Sequence, residues 1–298
     1  DTGARNVAVG YAALGNLNYD GNGNNVAVGY EAGNDLTSGV QNTIVGSNAG
    51  DALTTGSYNV AVGYNSLSVE DTGSRSVAVG YYALAKQNYD GNAYNIAVGH
   101  NAGQEITTGV NNVVIGGLAA DALTTGANNV AIGYLSLSTE DEHGRNVAVG
   151  AYALKDQDAG AEGYNVAVGY QAGYAVTTGT HNVLVGGLAG DSLTAGQYNV
   201  AVGYNALAGE DAHGRNIAIG TNALTALDAG ADAYNVAIGH NAGLSVSTGT
   251  YNNIIGGLAG DALTTGGFNV AMGYAALGAE DTGSRNVAIG HSALTALN

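Results

Sequence analysis

Asn199-Val200-Ala201-Val202-Gly203-Tyr204-Asn205-Ala206-Leu207 is the stretch on which the fold turns. Val-Ala-Val favours an extended strand. Alternation along it puts Val200 and Val202 on one face and Ala201 on the other. Gly203 allows a backbone turn closed to most residues. Leu207 offers a second apolar contact a few residues on.

The opening pentad recurs along the whole chain. Its first residue falls at Asn6, Asn25, Asn42, Asn59, Ser76, Asn95, Asn112, Asn129, Asn146, Asn165, Asn182, Asn199, Asn216, Asn235, Asn252, Asn269 and Asn286. The intervals run 19, 17, 17 and 17, and that 70-residue set occurs four times. The chain therefore reads as one array: super-repeats 6–75, 76–145, 146–215 and 216–285, with a partial copy at 286–298. The pentad glycine stands in every copy, from Gly10 to Gly290. A 17-residue unit is too short for a β-α-β crossover. It suffices for one coil of a solenoid, with two short strands and tight turns such as Leu53-Thr54-Thr55-Gly56. The absence of proline fits coils that must all donate ladder hydrogen bonds. The predicted fold is all-β: a parallel, β-roll-like solenoid of seventeen stacked coils.

Each coil is expected to turn three large apolar side chains inward, two from the Val-x-Val strand and one from its second half. That third residue is Leu14, Leu67, Leu84, Leu137, Leu154, Leu207, Leu224 or Leu277 in half the coil types. In the others it is Leu36, Leu53, Ile106, Leu123, Val176, Leu193, Val246 or Leu263. In every third coil of the super-repeat the pentad alanine becomes Ile44, Val114, Leu184 or Ile254. The usual Tyr there becomes Ser47, Gly117, Gly187 or Gly257. The paired exchange reads as volume conservation in a packed interior or at a close interface. Three aliphatics per coil make a thin core against the entropy of ordering 17 residues. That predicts an oligomer, a homotrimer, with the Ala/Gly face (Ala8, Gly10 and equivalents) and the Arg turns at chain contacts.

Composition narrows the partners. A net charge of −17 repels nucleic acid and anionic membranes. There is no cysteine for disulfides or thiolate metal sites. No stretch approaches the apolar length of a membrane span, and no Asn-x-Ser/Thr sequon occurs.

The motif Asn-Val-Ala-Val-Gly-Tyr-x-Ala-Leu resembles the head repeats of trimeric autotransporter adhesins. Ser76-Val77-Ala78-Val79-Gly80 and Asn216-Ile217-Ala218-Ile219-Gly220 are the nearest to that pattern. The chain is similar as well to the repeat shafts of bacteriophage tail fibres, most closely over Asn199–Leu207. The resemblance implies an extracellular fibre at a cell or virion surface, self-associated and attaching to a cell-surface glycan or host receptor. A purely structural self-assembling filament is the alternative, and a glycan-processing β-helix a distant one.

Tyr11, Tyr30, Tyr64, Tyr81, Tyr134, Tyr170, Tyr204 and Tyr274 follow the pentad glycine, and His100, His240 and His291 share that slot. Stacked coils would range them in a file, either a structural ladder or a glycan-facing surface. Arg5, Arg75, Arg145, Arg215 and Arg285 lie 70 residues apart. The acids Asp1, Glu70-Asp71, Glu140-Asp141, Glu210-Asp211 and Glu280-Asp281 precede them, which predicts Arg–carboxylate bridges. The acidic turns leave Ca²⁺ as an alternative, though the calcium-binding nonapeptide of other β-rolls is absent. The 19-residue coils carry the most variable loops (16–24, 86–94, 155–164 and 225–234). These hold Asp20, Asp90, Asp156, Asp158, Glu162, Asp228 and Asp232 as candidate receptor contacts. His143 and His213 sit near acids in two equivalent turns. No nucleophile elbow or phosphate-binding loop occurs, and no constellation breaks the repeat once, so the chain is read as a non-enzyme. Both ends fall inside a repeat, which predicts a segment of a longer polypeptide.

Overall fold

The computed structural model describes residues 5–279 and 281–295 and forms two compact units, Asp1–Asn146 and Val147–Asn298. The unit boundary falls one residue past the end of the second super-repeat. Seventeen three-residue strands run from β1 (Val7–Val9) to β17 (Val287–Ile289), and no helix occurs among the described residues. The first unit holds β1 to β8 (Val130–Ile132), the second β9 (Val147–Val149) to β17. Within each unit every strand pairs in parallel with the same three positions one coil on, as in Val7↔Val26 and Val200↔Ile217. The chain is a parallel β-solenoid with one pentad per coil.

One strand per coil forms, not two. The second half of each coil holds residues in the left-handed region, such as Arg75 (φ 64°), Tyr82 (φ 54°) and Leu84 (φ 48°). Non-glycine residues adopt this conformation only at a cost. It is sustained here by hydrogen bonds to the equivalent residues of neighbouring coils, among them Leu84 N–H to Ala102 O at 3.1 Å and Arg75 N–H to Ser57 O at 3.1 Å. Alternating turn conformation bends the chain around the coil without breaking the coil-to-coil ladder.

The pentad glycine has a steric cause. At Gly63, φ is 135°, and an added Cβ would lie 2.3 Å from the Gly80 carbonyl oxygen of the next coil. The same clash recurs up the stack, as at Gly10, Gly99, Gly186 and Gly273; at Gly290 an added Cβ meets nothing within 4 Å, and a φ of 123° alone disfavours alanine.

The strand faces are the reverse of the expectation. Every pentad alanine from Ala27 to Ala271 is fully buried, while Val28, Ile96, Val168, Ile217, Ile219 and Met272 are exposed. Asparagine and alanine share one parity of the strand and both point inward. The alanines therefore lie in the interior, away from any chain contact, while the pentad glycines are half-buried or exposed. Inward asparagine serves the stack directly. Asn25 Oδ1 accepts the Asn42 N–H at 2.8 Å, and its Nδ2 donates to Gly39 O at 2.9 Å. Asn182 does the same with Asn199 N–H (2.9 Å) and Gly196 O (2.9 Å). A buried amide bonded at both ends suits the site as an apolar side chain would not.

The expected leucines are inward: Leu36, Leu53, Leu67, Leu84, Leu137 and Leu207 are all fully buried. Ile44, Val114, Leu184 and Ile254 are buried as well. Their volume is compensated inside the core rather than at the tyrosine position. A Cβ on Gly173 or Gly190 would stand 2.7 or 2.8 Å from the Leu184 side chain. Those glycines occupy the slot that holds leucine in other coils, so Leu184 fills the room they leave. Gly187, which replaces tyrosine, is on the outer surface and takes no part in this exchange.

Candidate functional site

Three features stand on the outer surface of the coils: the Val/Ile face, two files of rings, and the acidic turns. The first file is the one expected from the sequence. Tyr11, Tyr30, Tyr64, Tyr81, Tyr134, Tyr170, Tyr204 and Tyr274 are each about half exposed or more. Tyr11 stacks on Tyr30 at 5.2 Å, Tyr64 on Tyr81 at 5.5 Å, Tyr81 on His100 at 5.1 Å and Tyr274 on His291 at 5.3 Å. The spacing matches the strand-to-strand repeat, so ring faces point along the stack and ring edges toward solvent. The neighbouring Tyr82 phenol pushes the Tyr64 phenol above its ordinary value, and a hydrogen bond with Glu31 does the same for Tyr30. The file is interrupted at Ser47, Gly117, Ala151, Gly187, Thr221 and Gly257, where the slot carries no ring.

A second file occupies the position before the pentad. It was not anticipated, because that position alternates among Tyr, His, Phe, Asn, Gln and Arg and shows its period only when read at intervals of 17 and 19. In the second unit it is continuous. Tyr164, His181 and Tyr198 stack at 5.1 and 5.0 Å, and the Arg215 guanidinium lies 5.7 Å from Tyr198 and 5.5 Å from Tyr234. Tyr251 and Phe268 follow at 5.3 and 4.9 Å, and Arg285 closes the run 5.9 Å from Phe268. In the first unit Arg75 sits between Tyr58 (5.3 Å) and Tyr94 (5.8 Å) and donates to the Tyr94 hydroxyl.

This placement corrects the expected ion pairs. Among the described residues, Arg75, Arg215 and Arg285 make no bridge to Asp71, Asp211 or Asp281. The arginines lie within the ring file, stabilised by the negative faces of the rings. Arg215 pairs instead with Asp232, from the long loop of the next coil. Arg145 stands at the same phase and belongs to the same register. Asp1 and Glu280 lie outside the described residues. The aspartates serve the turns: Asp71 caps the Thr72 N–H at 2.7 Å, and its carbonyl accepts Thr54 N–H at 2.7 Å. The Asp141 and Asp211 carbonyls accept from Thr124 and Thr194 in the same way. Of the loop acids, Asp90 accepts from Thr72 Oγ1 at 2.8 Å and Asp156 pairs with Lys155 at 2.5 Å.

A cleft of about 190 Å³ opens beside Arg215, lined by Ala195, Gln197, Tyr198, Ala212 and Asp232. The Arg215–Asp232 pair fills its polar wall.

Two acidic turns could hold a metal. Glu140, Asp141 and His143, and likewise Glu210, Asp211 and His213, bring their donor atoms within 4.8 Å of one another. One imidazole with two carboxylates suits a borderline cation such as Zn²⁺ better than the all-oxygen shell of Ca²⁺. In both turns the glutamate is fully buried and its Oε1 accepts the His N–H, at 3.0 Å for Glu140 and 3.1 Å for Glu210. Desolvation pushes the Glu210 carboxyl upward, opposed in part by the His213 and Ala229 amides and by the His213 ring. Burial likewise raises Asp51, Asp121 and Asp191, which recur at one phase of the repeat.

No helix among the described residues is long and apolar enough to cross a membrane. Compared with protein-family models, with curated proteins and with solved structures, the chain matches none.

Proposed function

We propose that this chain is a structural segment of an extracellular fibre, the shaft or head of a tail fibre or surface adhesin, which assembles as a homotrimer through its Val/Ile face. The observation that carries the reading is the outward orientation of that face. In every coil but those of Asn253 and Met272, two β-branched side chains are turned outward, in register, on the side of the strand opposite the central residue. Contiguous apolar surface of this extent marks an interaction site. A second copy presents the same ribbon at the same spacing, and a closed ring of three leaves none of it exposed. The net charge of −17 disfavours nucleic acid and anionic lipid as occupants. The acidic turns and ring files recur at each super-repeat, which suits a scaffold and an attachment surface rather than a catalyst. Cell-surface glycan or a host receptor is the partner such a fibre would meet at a cell or virion surface.

Light scattering coupled to size exclusion tests the assembly. The chain is expected at three times its 29.4 kDa mass. Lysine at Val62, Val79, Val185 and Val202 is expected to yield a folded monomer, since those side chains touch solvent in a single copy. A wild-type chain that runs as a folded monomer at micromolar concentration would overturn the reading.

A further inference from the structure

Most glycines in this chain are compelled by backbone angle or by a clash. Gly117, Gly187 and Gly257 are not. None has a positive φ, and the closest atom to an added Cβ is Cδ2 of Tyr134, Tyr204 or Tyr274, at 3.6 Å in each case, an ordinary van der Waals contact. The core exchange at Val114, Leu184 and Ile254 is balanced by other glycines, so packing does not call for glycine here either. Yet glycine interrupts the first ring file at the same coil of three successive super-repeats, with Ser47 in the first.

The consequence is geometric. Tyr170 lies one coil before Gly187, and Tyr204 one coil after. Both are exposed, at 55% and 56%; Tyr170 meets Tyr152 edge-on at 6.1 Å, and Tyr204 stacks on no other ring among the described residues. Two strand spacings, about 9.6 Å, separate the levels of the two rings. Where the file is filled, rings repeat at 5.1–5.5 Å. The file thus lacks one ring at Gly187, with Tyr170 on one side and, on the other, the Tyr204 ring edge, whose Cδ2 and Cε2 stand 3.6 and 4.0 Å from the position of an added Cβ. His100 and Tyr134 bracket Gly117 in the same way, and His240 and Tyr274 bracket Gly257. A half-buried leucine follows each glycine (Leu118, Leu188 and Leu258) and adds apolar surface.

We propose that these gaps are binding slots for single pyranose rings of a neutral glycan. A sugar chair offers apolar C–H faces to the rings on either side, and its rim of hydroxyls remains in water. It is thicker than a planar aromatic ring and fills a gap of two strand spacings better. The charge of −17 selects against uronate or sialate-rich chains. In the second unit the slots at Gly187 and Gly257 are four coils apart, about 19 Å along the stack. One extended oligosaccharide can occupy both and gain from effective concentration.

The test is saturation-transfer NMR and calorimetry on the assembled wild-type protein with cellotetraose, N-acetylchitotetraose, mannotetraose and an alginate tetrasaccharide. A neutral sugar is expected to bind, the anionic alginate most weakly. Gly117→Tyr, Gly187→Tyr and Gly257→Tyr together are expected to close the gaps and weaken binding about tenfold or more, with oligomeric mass and circular dichroism unchanged. Alanine at the same three positions leaves the gaps open and is expected to bind as wild type, which separates filling from loss of glycine. The proposal is overturned if no sugar binds at about 10 mM, or if the tyrosine variant binds as well as wild type. It is overturned too if the tyrosine variant alters only the oligomeric mass, which would assign the gaps to chain association. Failure of the trimer itself would appear in the wild-type mass and leaves the sugar titration readable.

Discussion

Glu70 in the first unit and Glu210 in the second occupy the same turn, 140 residues apart, and both are fully buried. Their surroundings differ at several residues: Gly73 corresponds to His213, Ser76 to Asn216, Gln87 to Leu227 and Tyr89 to Ala229. Glu70 Oε1 accepts the Gly73 N–H at 2.7 Å, and Oε2 accepts Gln87 Nε2 at 2.9 Å and Tyr89 N–H at 3.3 Å. Gln87 also donates to Ser76 Oγ at 2.8 Å and accepts from Asn95 Nδ2 at 2.8 Å. It thereby closes the asparagine ladder where Ser76 interrupts it. At the corresponding position of the second unit stands Leu227, itself buried. Glu210 Oε2 is left buried without a hydrogen-bond partner, and His213 Nδ1, 3.6 Å from Oε1, is unpartnered too. One turn is a closed polar network and its copy is an open one. A repeat that is regular in backbone can thus be locally uneven in stability, because a half-satisfied buried network costs more than an apolar one.

The largest expected effect comes from making the first turn resemble the second. Gln87→Leu removes three buried hydrogen bonds, to Glu70 Oε2, Ser76 Oγ and Asn95 Nδ2, and leaves Glu70 Oε2 with Tyr89 N–H and Asn95 Nδ2 with Gly109 O, a loss of about 2–4 kcal/mol. Hydrogen exchange at the amides of Gly73 and Tyr89 reports it locally, as a repeat array opens in parts. Protection unchanged from wild type would mean the network contributes little.

The reverse substitution sharpens the contrast. Leu227→Gln offers Glu210 Oε2 the donor that Gln87 gives Glu70. It is expected to stabilise the second turn by about 1 kcal/mol, measured as slower exchange at His213 N–H. A loss of protection there would show that leucine packing outweighs the missing hydrogen bond.

The smallest effect is in pH dependence. Burial holds the Glu210 carboxyl above its unfolded value, with Asp228 adding to the rise and His213 opposing it. A group raised in the folded chain favours folding in its protonated form. Stability of this turn is therefore greatest below the ordinary glutamate range and declines as pH climbs through the raised value. Glu70 is raised by burial as well, but hydrogen bonds from Gln87, Gly73 and Tyr89 counter it. Melting followed from pH 4 to 8 is expected to show a shallower decline for Glu210→Gln than for wild type, by about 1 kcal/mol at neutrality. Coincident curves for the two proteins would remove Glu210 from the account.

Much of this was legible in the residues. The 17- and 19-residue intervals state the number of coils, their register and the place of each inward leucine. The arginine partners were not legible. The acids next to Arg75 and Arg215 in sequence are directed into their own turns, whereas the rings beside them arrive from adjacent coils. Proximity along the chain misleads where each residue's true neighbours lie 17 or 19 positions away.

By itself, then, the sequence determined a parallel solenoid with one pentad per coil, because period and an obligatory glycine leave no other register. Only the tertiary structure decided which face of Val-Ala-Val looks inward. Alternation has two sides and no preferred one. The choice belongs to the asparagine amide, which shares its strand side with the central residue and can be buried because its own coil supplies an acceptor and the next coil a donor.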